Sequence, residues 1–309
     1  MHAHPVVSIC IAAVCLLVSA VSAEVVMSAS DEAEPFRLTA DARAQWDAQE
    51  HATIKYLQAS QPASGADHED LAKQLQNPVA SLISVPLQYN VDFNGGPDDD
   101  GTRHVLNVQP VVPLTLNEDW NVIVRTIVPI IYQDGIVDDG GSSQFGLGDT
   151  TQSFFFSPKA PGPGGLIWGV GPAFLWPTAT NDSLGGEQWG AGPTGLLLWQ
   201  KGPWTYGALA NHIWSYAGDD DRSDVSSTFL QPFFSHTNAK AFTLGINMET
   251  TYDWINEEWT VPINIFASQL VKIDKQPISF TLGARYYADA PPGGPEWGLR
   301  FVVTLLFPK

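Results

Sequence analysis

Apolar and polar side chains alternate along the chain from about residue 80 to its end, in segments that suit strands with one apolar and one polar face. In the first segment the apolar face carries Ile83, Val85, Leu87, Tyr89 and Val91, and the polar face carries Ser84, Gln88, Asn90 and Asp92. The same alternation is clear at 242–249, 278–285 and 300–307. Further segments are predicted at 103–114, 119–132, 145–157, 164–176, 187–200, 203–216, 225–237 and 259–272. The pattern predicts an all-β fold, an antiparallel β-barrel of about twelve strands.

Several of the predicted strands contain a proline. These residues are Pro86, Pro110, Pro129, Pro172, Pro193, Pro232 and Pro262. A proline has no N–H to donate to a neighbouring strand, so such strands need a bulge or a local break.

The connections between the predicted strands alternate in length and charge. Those after odd-numbered strands are long and acidic, at 94–101, 133–144, 177–187, 217–224, 252–258 and 289–296. Those after even-numbered strands are short and hold Lys159, Lys201, Lys240, Lys272 and Lys275. A transmembrane barrel has short periplasmic turns and longer external loops, and an even number of strands leaves both termini in the periplasm. The connections therefore predict a bacterial outer-membrane barrel with external acidic loops and periplasmic mature termini. A soluble sandwich would not require long acidic and short lysine-bearing connections to lie at opposite ends.

The tryptophans lie mostly near the ends of the predicted strands, where amphipathic rings favour the headgroup level of a membrane. Trp120, Trp199 and Trp204 are predicted to mark the periplasmic belt. Trp176, Trp189, Trp214, Trp259 and Trp297 are predicted to mark the external belt. The alternative is a sandwich core, but core tryptophans would lie in the middle of strands and face one another.

The residues before the barrel differ from the rest of the chain. Residues 1–23 predict a cleaved signal peptide, because an apolar stretch ends in the small residues of Val21-Ser22-Ala23 and contains both cysteines. Residues 24–78 are acidic and predict a periplasmic arm of two short polar helices, or a partly disordered spacer, ahead of a barrel at 79–309. A partner-binding coiled coil is the alternative for the arm, although it has few apolar positions for heptads. Beyond Ala23 no apolar run is long enough for a membrane-spanning helix.

Composition narrows the partners. The formal net charge is −18 at pH 7, which argues against nucleic acid as a partner. Charged residues make up only 16% of the chain, while it holds 27 Gly and 23 Pro, a balance that favours many short strands and turns over helices.

Several motifs resemble one family. They are Asn77-Pro-Val-Ala-Ser-Leu-Ile-Ser-Val-Pro86, Gly146-Leu-Gly-Asp149, Phe155-Phe-Ser-Pro-Lys159, Trp168-Gly-Val-Gly-Pro172, Gly207-Ala-Leu-Ala-Asn-His-Ile-Trp214 and the stretch 299–309. Over roughly residues 69–309 the chain resembles the MetA-pathway of phenol degradation family of bacterial outer-membrane transporter-like proteins, sometimes labelled neuromedin U. The resemblance implies an outer-membrane barrel with a transport role, and it supplies neither catalytic residues nor an agreed substrate.

Polar residues on the predicted inner face are the candidate functional residues. They are Gln88, Asn90, Asp92, Asn107, Gln109, Arg125, Glu249, Arg285 and Arg300. Charges of both signs in a lumen can pair across it, which narrows a pore and creates a transverse field. We therefore expect a monomeric channel or transporter for small solutes, including hydrophobic or aromatic compounds, with lipid as its surroundings. The alternative is a plugged barrel with a structural or surface-interaction role, because a barrel of about twelve strands lies between filled and open sizes.

Other chemistry receives less support from the sequence. Acidic loop residues, Asp98 and Asp100 together with Asp219 and Asp221, are the candidate ligands for divalent cations, although consecutive acids on a loop usually point apart. An outer-membrane enzyme is a further alternative, but Asn211 and His212 are adjacent in a strand and face opposite sides. No serine-nucleophile, P-loop or complete dinucleotide motif is present, so we predict no catalytic residues and no cofactor.

Overall fold

The computed structural model describes residues 68–137 and 143–308. In this part of the chain an α-helix, α1 (His68–Leu75), precedes a closed barrel of 12 antiparallel strands. Each strand pairs with the next, and β12 pairs with β1, which closes the sheet. The predicted fold class is confirmed. The predicted signal peptide at 1–23, and the arm up to residue 67, lie outside the described residues.

The strands match the predicted segments closely. They are β1 (Ile83–Gly95), β2 (Gly101–Val108 and Val111–Thr115), β3 (Trp120–Asp134), β4 (Gln144–Leu147 and Thr150–Pro158), β5 (Leu166–Trp176), β6 (Gln188–Lys201), β7 (Trp204–Gly218), β8 (Ser226–Thr237), β9 (Phe242–Met248 and Thr250–Asp253), β10 (Glu258–Thr260 and Pro262–Ile273), β11 (Gln276–Tyr287) and β12 (Trp297–Phe307). A 3₁₀ turn (Pro163–Gly165) precedes β5.

Breaks in the strands accommodate several of the prolines. β2 is interrupted at 109–110, where Pro110 lies, and β10 is interrupted just before Pro262. Pro172 and Pro193 lie opposite each other on β5 and β6, so two residues without an N–H share one position in the ladder. Four of the seven prolines thus lie at breaks or at this shared position, whereas Pro86, Pro129 and Pro232 lie within continuous strands.

The two ends of the barrel differ in their connections, and we name them accordingly. The turn end holds the connections at 116–119, 159–165, 202–203, 238–241 and 274–275, and the loop end holds the others. The lengths separate the ends less sharply than predicted, since 254–257 at the loop end is as short as 238–241 at the turn end. The reason is that β9 and β10 continue to pair out to Asp253 and Glu258, which shortens the loop between them.

Aromatic contacts mark both ends. At the turn end Trp120 meets Trp168 edge to face, with ring centroids 5.7 Å apart. At the loop end Trp176 meets Trp189 in the same way at 5.5 Å, and Phe93 stacks on Trp297 at 4.5 Å. The tryptophans predicted for each belt therefore lie at opposite ends of the strands, as aromatic girdles do in membrane barrels.

The outer face of the barrel carries apolar side chains that remain exposed. Phe145 is 72% exposed, Leu282 67% and Ile265 62%. Exposed apolar side chains spread around a closed barrel indicate contact with lipid. Among the described residues no helix has the length and apolar character to cross a membrane.

The inner face is divided into two walls. The apolar wall consists of Ile123, Phe155, Leu196, Leu198 and Leu209, all buried side chains from β3, β4, β6 and β7 that pack together. The polar wall lies on β1 and β9–β12 and holds the buried Asn90, Asp92, Asn264, Ser279 and Arg300. The interior of the barrel therefore combines a buried apolar cluster with buried polar and charged side chains.

Candidate functional site

Helix α1 and the residues that follow it fill the turn end of the barrel. Leu71 and Ala72 are buried against the inward-facing Leu270 and Leu306, and the Gln200 side chain donates a hydrogen bond to the Lys73 carbonyl at 2.7 Å. Residues of the helix itself stabilise it, because Glu69 and Asp70 in its first turn and Lys73 in its last turn complement the helix dipole. It forms a floor across this end, which we define as residues 68–82. The sequence predicted a helix here and did not predict that it packs inside the barrel, because its short apolar face gave little indication of a partner.

A charge network crosses the barrel above this floor. Arg300 donates from Nη1 and Nη2 to the two carboxylate oxygens of Glu249 at 2.8 and 2.7 Å. Its Nε donates to Asn90 at 2.7 Å. Arg285 binds Asp92 at 3.2 Å and approaches Glu249 at 3.9 Å. We call these five residues the charge network, and they are five of the predicted candidates.

Strand register explains how the network forms. Asn90 lies opposite Arg300 in the β1–β12 ladder. Gly298 lies opposite both Asp92 and Arg285, on its two neighbouring strands. A Cβ at Gly298 would lie only 2.3 Å from Asp92 Oδ1, so the missing side chain leaves room for Asp92 to reach Arg285. Glu249 comes from the break in β9, on the far side of two intervening strands.

The remaining predicted residues lie beside the network. Arg125 donates to Gln109 at 3.0 Å. Gln88 and Asn107 lie opposite each other on β1 and β2, and neither belongs to the charge network. Arg103 was not among the predicted candidates, yet it lies opposite Asp92 on the inner face and attracts it. The signal was available, because the alternation of β2 puts Arg103 on the same face as Asn107.

The inner charges do not balance. Arginines 103, 125, 285 and 300 face two acids, Asp92 and Glu249. Arg125 forms no ion pair with any described residue, and Glu249 attracts it from beyond ion-pair distance. A chain of net charge −18 therefore carries a local excess of positive charge around Asp92 and Glu249.

A cavity of about 240 Å³ lies between the floor and the charge network. Leu75 and Asn77 of the floor line one side of it, and Gln88, Gln109 and Arg125 line another. Phe233 and Phe266 supply aromatic surface from β8 and β10. The cavity thus combines a guanidinium group, amide groups and aromatic rings.

A loop at the other end of the barrel is anchored by Asp149. Its carboxylate oxygens accept hydrogen bonds from the backbone N–H groups of Ala179 at 3.1 Å and Gly186 at 2.7 Å. Leu184 of the same loop is buried, and its atoms would lie 3.2 Å from a Cβ at Gly146 or Gly148. The sequence Gly146-Leu-Gly-Asp149 contributed to the family resemblance, but this anchoring role was missed because the residues it binds are distant in the chain.

The acidic loops are less organised. Asp219 accepts a hydrogen bond from the Asp221 N–H at 2.8 Å, and Asp98 and Asp100 are exposed. Among the described residues no group of three or more His, Cys, Asp or Glu side chains is arranged to hold a metal ion. The four predicted cation ligands are therefore not gathered into a site.

His212 points away from the barrel interior. It donates to or accepts from Thr228 Oγ1 at 2.6 Å and packs against Trp214 with ring centroids 4.0 Å apart. It is thus part of the outer aromatic surface near the loop end, on the opposite face from Asn211, as the alternation in β7 predicted.

Comparison with solved structures identifies the fold. The COG4313 outer membrane channel from Pseudomonas putida F1 is similar over 74% of this chain and 96% of its own, with 16% identity and a TM-score of 0.58. The β domain of the Bordetella autotransporter BrkA and the Salmonella typhi outer membrane phospholipase match at 10% identity with TM-scores of 0.43 and 0.42, over 74% and 79% of this chain and 100% and 98% of theirs. No family model and no curated protein sequence matches the chain. The barrel therefore shares the fold of the COG4313 outer membrane channel, and the resemblance to the MetA-pathway family stays a prediction.

Proposed function

We propose that this protein is a channel for small solutes in the bacterial outer membrane. The observation that carries the proposal is the charge network across the barrel, flanked by an apolar wall and a cavity. A barrel that served only as a scaffold could fill its interior with apolar side chains, which cost less to bury than ions. A transverse arrangement of cations and anions is the device by which narrow pores orient dipolar solutes.

The fold of the Pseudomonas putida channel adds support, since that structure is described as an outer membrane channel and covers nearly the same length of barrel. The amphipathic interior suits solutes that have both an apolar and a polar part, such as aromatic compounds with a polar group. The exposed apolar band and the two girdles suit a chain that spans the membrane as a monomer. Export through a cleaved signal peptide, with both mature termini in the periplasm, completes the proposal.

A plugged barrel is the second candidate, and one observation favours it. The floor at 68–82 occupies the turn end, with Leu71, Ala72 and Leu82 buried. If the floor never moves, solutes cannot pass and the role is structural. The two functions therefore differ in what the purified barrel does in a bilayer.

The test is conductance of the purified, folded protein in planar lipid bilayers. A channel is expected to give discrete current steps, and liposomes that contain the protein should swell in small sugars or amino acids. Folded protein is identified by its heat-dependent mobility on gels. If folded protein inserts and neither conducts nor releases solutes, the proposal fails and the plugged barrel is supported.

A further inference from the structure

We infer that the cavity at Arg125 is a binding site for a small carboxylate whose body is apolar. The inference deepens the proposed channel function by naming a class of solute, and it rests on that function for its physiological meaning. Its structural basis is independent, because binding to a cavity does not require passage through it.

The guanidinium of Arg125 has no carboxylate partner among the described residues. Its guanidinium donates to the neutral Gln109 amide and forms no ion pair with the described residues. Arg285 and Arg300, in contrast, both reach carboxylates. A guanidinium group has five donors in a planar fork that matches a carboxylate, so Arg125 retains donors that an anion could use.

Arg125 shares the cavity with neutral polar side chains. The Ser84 hydroxyl and the Gln88 amide line the same cavity, and these groups can donate to a second carboxylate oxygen. Glu249 and Asp92 are held by Arg300 and Arg285, so the nearby acids are already neutralised. Of the four inner arginines, Arg125 is the one whose side chain lines the cavity.

The cavity also has an apolar part. Phe233 and Phe266 present rings to it, and Leu75 and Val302 add aliphatic surface. The Phe266 ring lies over Gly245, where a Cβ would come within 2.3 Å of its Cζ atom. The glycine thus lets the ring lie close to the wall, which leaves space in front of it.

The volume of the cavity fits a small aromatic carboxylate. An apolar cavity of about 150 Å³ holds a benzene molecule, and this cavity measures about 240 Å³. The difference suits one carboxylate group added to a ring. A benzoate ion is accordingly the probe of choice, with the ring against Phe233 and Phe266 and the carboxylate on Arg125.

The test is calorimetric titration of the detergent-purified, full-length protein with benzoate, benzamide and acetate. We expect benzoate to bind at least ten-fold more tightly than neutral benzamide and than acetate, which lacks the apolar body. The Arg125→Gln variant should lose the preference for benzoate over benzamide. Lys201→Gln, which removes an exposed cation at the turn end, should keep it.

A second variant covers the case in which Arg125→Gln does not fold. Gln109→Glu places a carboxylate beside Arg125 in the position of the present amide, so it should abolish benzoate binding while supplying the ion pair that the fold lacks. Equal affinity for benzoate and benzamide, or an unchanged preference in Gln109→Glu, would overturn the inference. Because binding is measured without a membrane, a protein that binds benzoate and never conducts contradicts the channel proposal alone, whereas one that conducts and ignores benzoate contradicts only the carboxylate site.

Discussion

Arg300 on β12 donates two parallel hydrogen bonds of 2.8 and 2.7 Å to Glu249 in the break of β9, although β10 and β11 separate the two strands. The contact is therefore a strut across the interior and not a bond between neighbours in the sheet. Its arginine side chain is 6% exposed and its glutamate 19%, so breaking it leaves a charge without a partner in a place that water reaches poorly.

The first prediction concerns this strut. Glu249→Gln removes one of two inner acids, which increases the excess of positive charge in the barrel. We expect anions to be favoured more strongly over cations, measured as a shift of the reversal potential across a potassium chloride gradient. Glu118→Gln, an exposed acid at the turn end, should leave the reversal potential unchanged. An unchanged reversal potential in Glu249→Gln would show that ions do not pass the network, and a shift towards cations would contradict the charge argument.

The second prediction concerns room for the Asp92–Arg285 pair. Gly298→Ala puts a Cβ within 2.3 Å of Asp92 Oδ1 and 2.6 Å of the Val91 carbonyl oxygen, so it displaces the carboxylate from Arg285 and strains the adjacent backbone. We expect a loss of about 1–3 kcal/mol in the free energy of unfolding, the usual cost of overpacking. Unfolding in urea, followed by tryptophan fluorescence in detergent, measures it. Gly195→Ala is the matched control, because its new Cβ would meet the nearest atom at 3.6 Å, an ordinary contact; equal effects in both variants would reject this account.

The third prediction concerns the floor. Leu71 of α1 is 5% exposed and packs against the inner wall of the barrel. Leu71→Asp would bury a carboxylate without a partner there, so α1 should leave its position before the barrel unfolds. We expect larger single-channel currents in planar bilayers. Lys73→Gln, which changes only a side chain paired with Glu69 on the helix surface, is the control; unchanged currents in Leu71→Asp would mean that the floor does not limit permeation.

The fourth prediction concerns the loop held by Asp149. Its two hydrogen bonds to backbone N–H groups are charge-assisted, and each such bond contributes about 1.5–3 kcal/mol. Asp149→Asn removes the charge and one acceptor, and a loss of only about 1.4 kcal/mol would make the open loop ten-fold more populated. We expect chymotrypsin to cut after Leu184 roughly ten-fold faster than in the unchanged protein. Asp98→Asn should have no effect on this cleavage, and resistance of Asp149→Asn would place the anchor elsewhere.

The alternation of apolar and polar side chains was enough to predict the strands, because each segment shows it independently of the others. It also predicted that Asn90, Glu249 and Arg300 share a face. It could not predict that they bond to one another, since Asn90 and Arg300 are 210 positions apart and meet only after the barrel closes. Which anion pairs with which cation depends on register and on the gap at Gly298, and neither is visible in one strand alone.

The floor and the anchored loop were harder for the same reason. The sequence of α1 predicts a helix through its charges, while its docking depends on Leu270 and Leu306 far along the chain. Asp149 resembles any acid in a turn until 177–187 folds back over it. Local patterns thus predicted the strands of the barrel. The contacts inside the barrel were not predicted, because they join segments that are distant in the chain.

The last prediction concerns orientation. Acidic connections gather at the loop end, where Asp99 and Asp220 are exposed, and lysine-bearing connections gather at the turn end, where Lys201 is exposed. Outer-membrane barrels place their longer loops outside the cell. We expect a protease recognition site inserted at Asp99 or Asp220 to be cut when the protease is added to intact cells, and one inserted at Lys201 to be cut only after the outer membrane is opened. Each insertion needs the folded, heat-modifiable form as its control, because an unfolded barrel is cut from either side. The reverse pattern would turn the barrel over in the membrane and place the floor at 68–82 at the external mouth, where it would gate entry from outside.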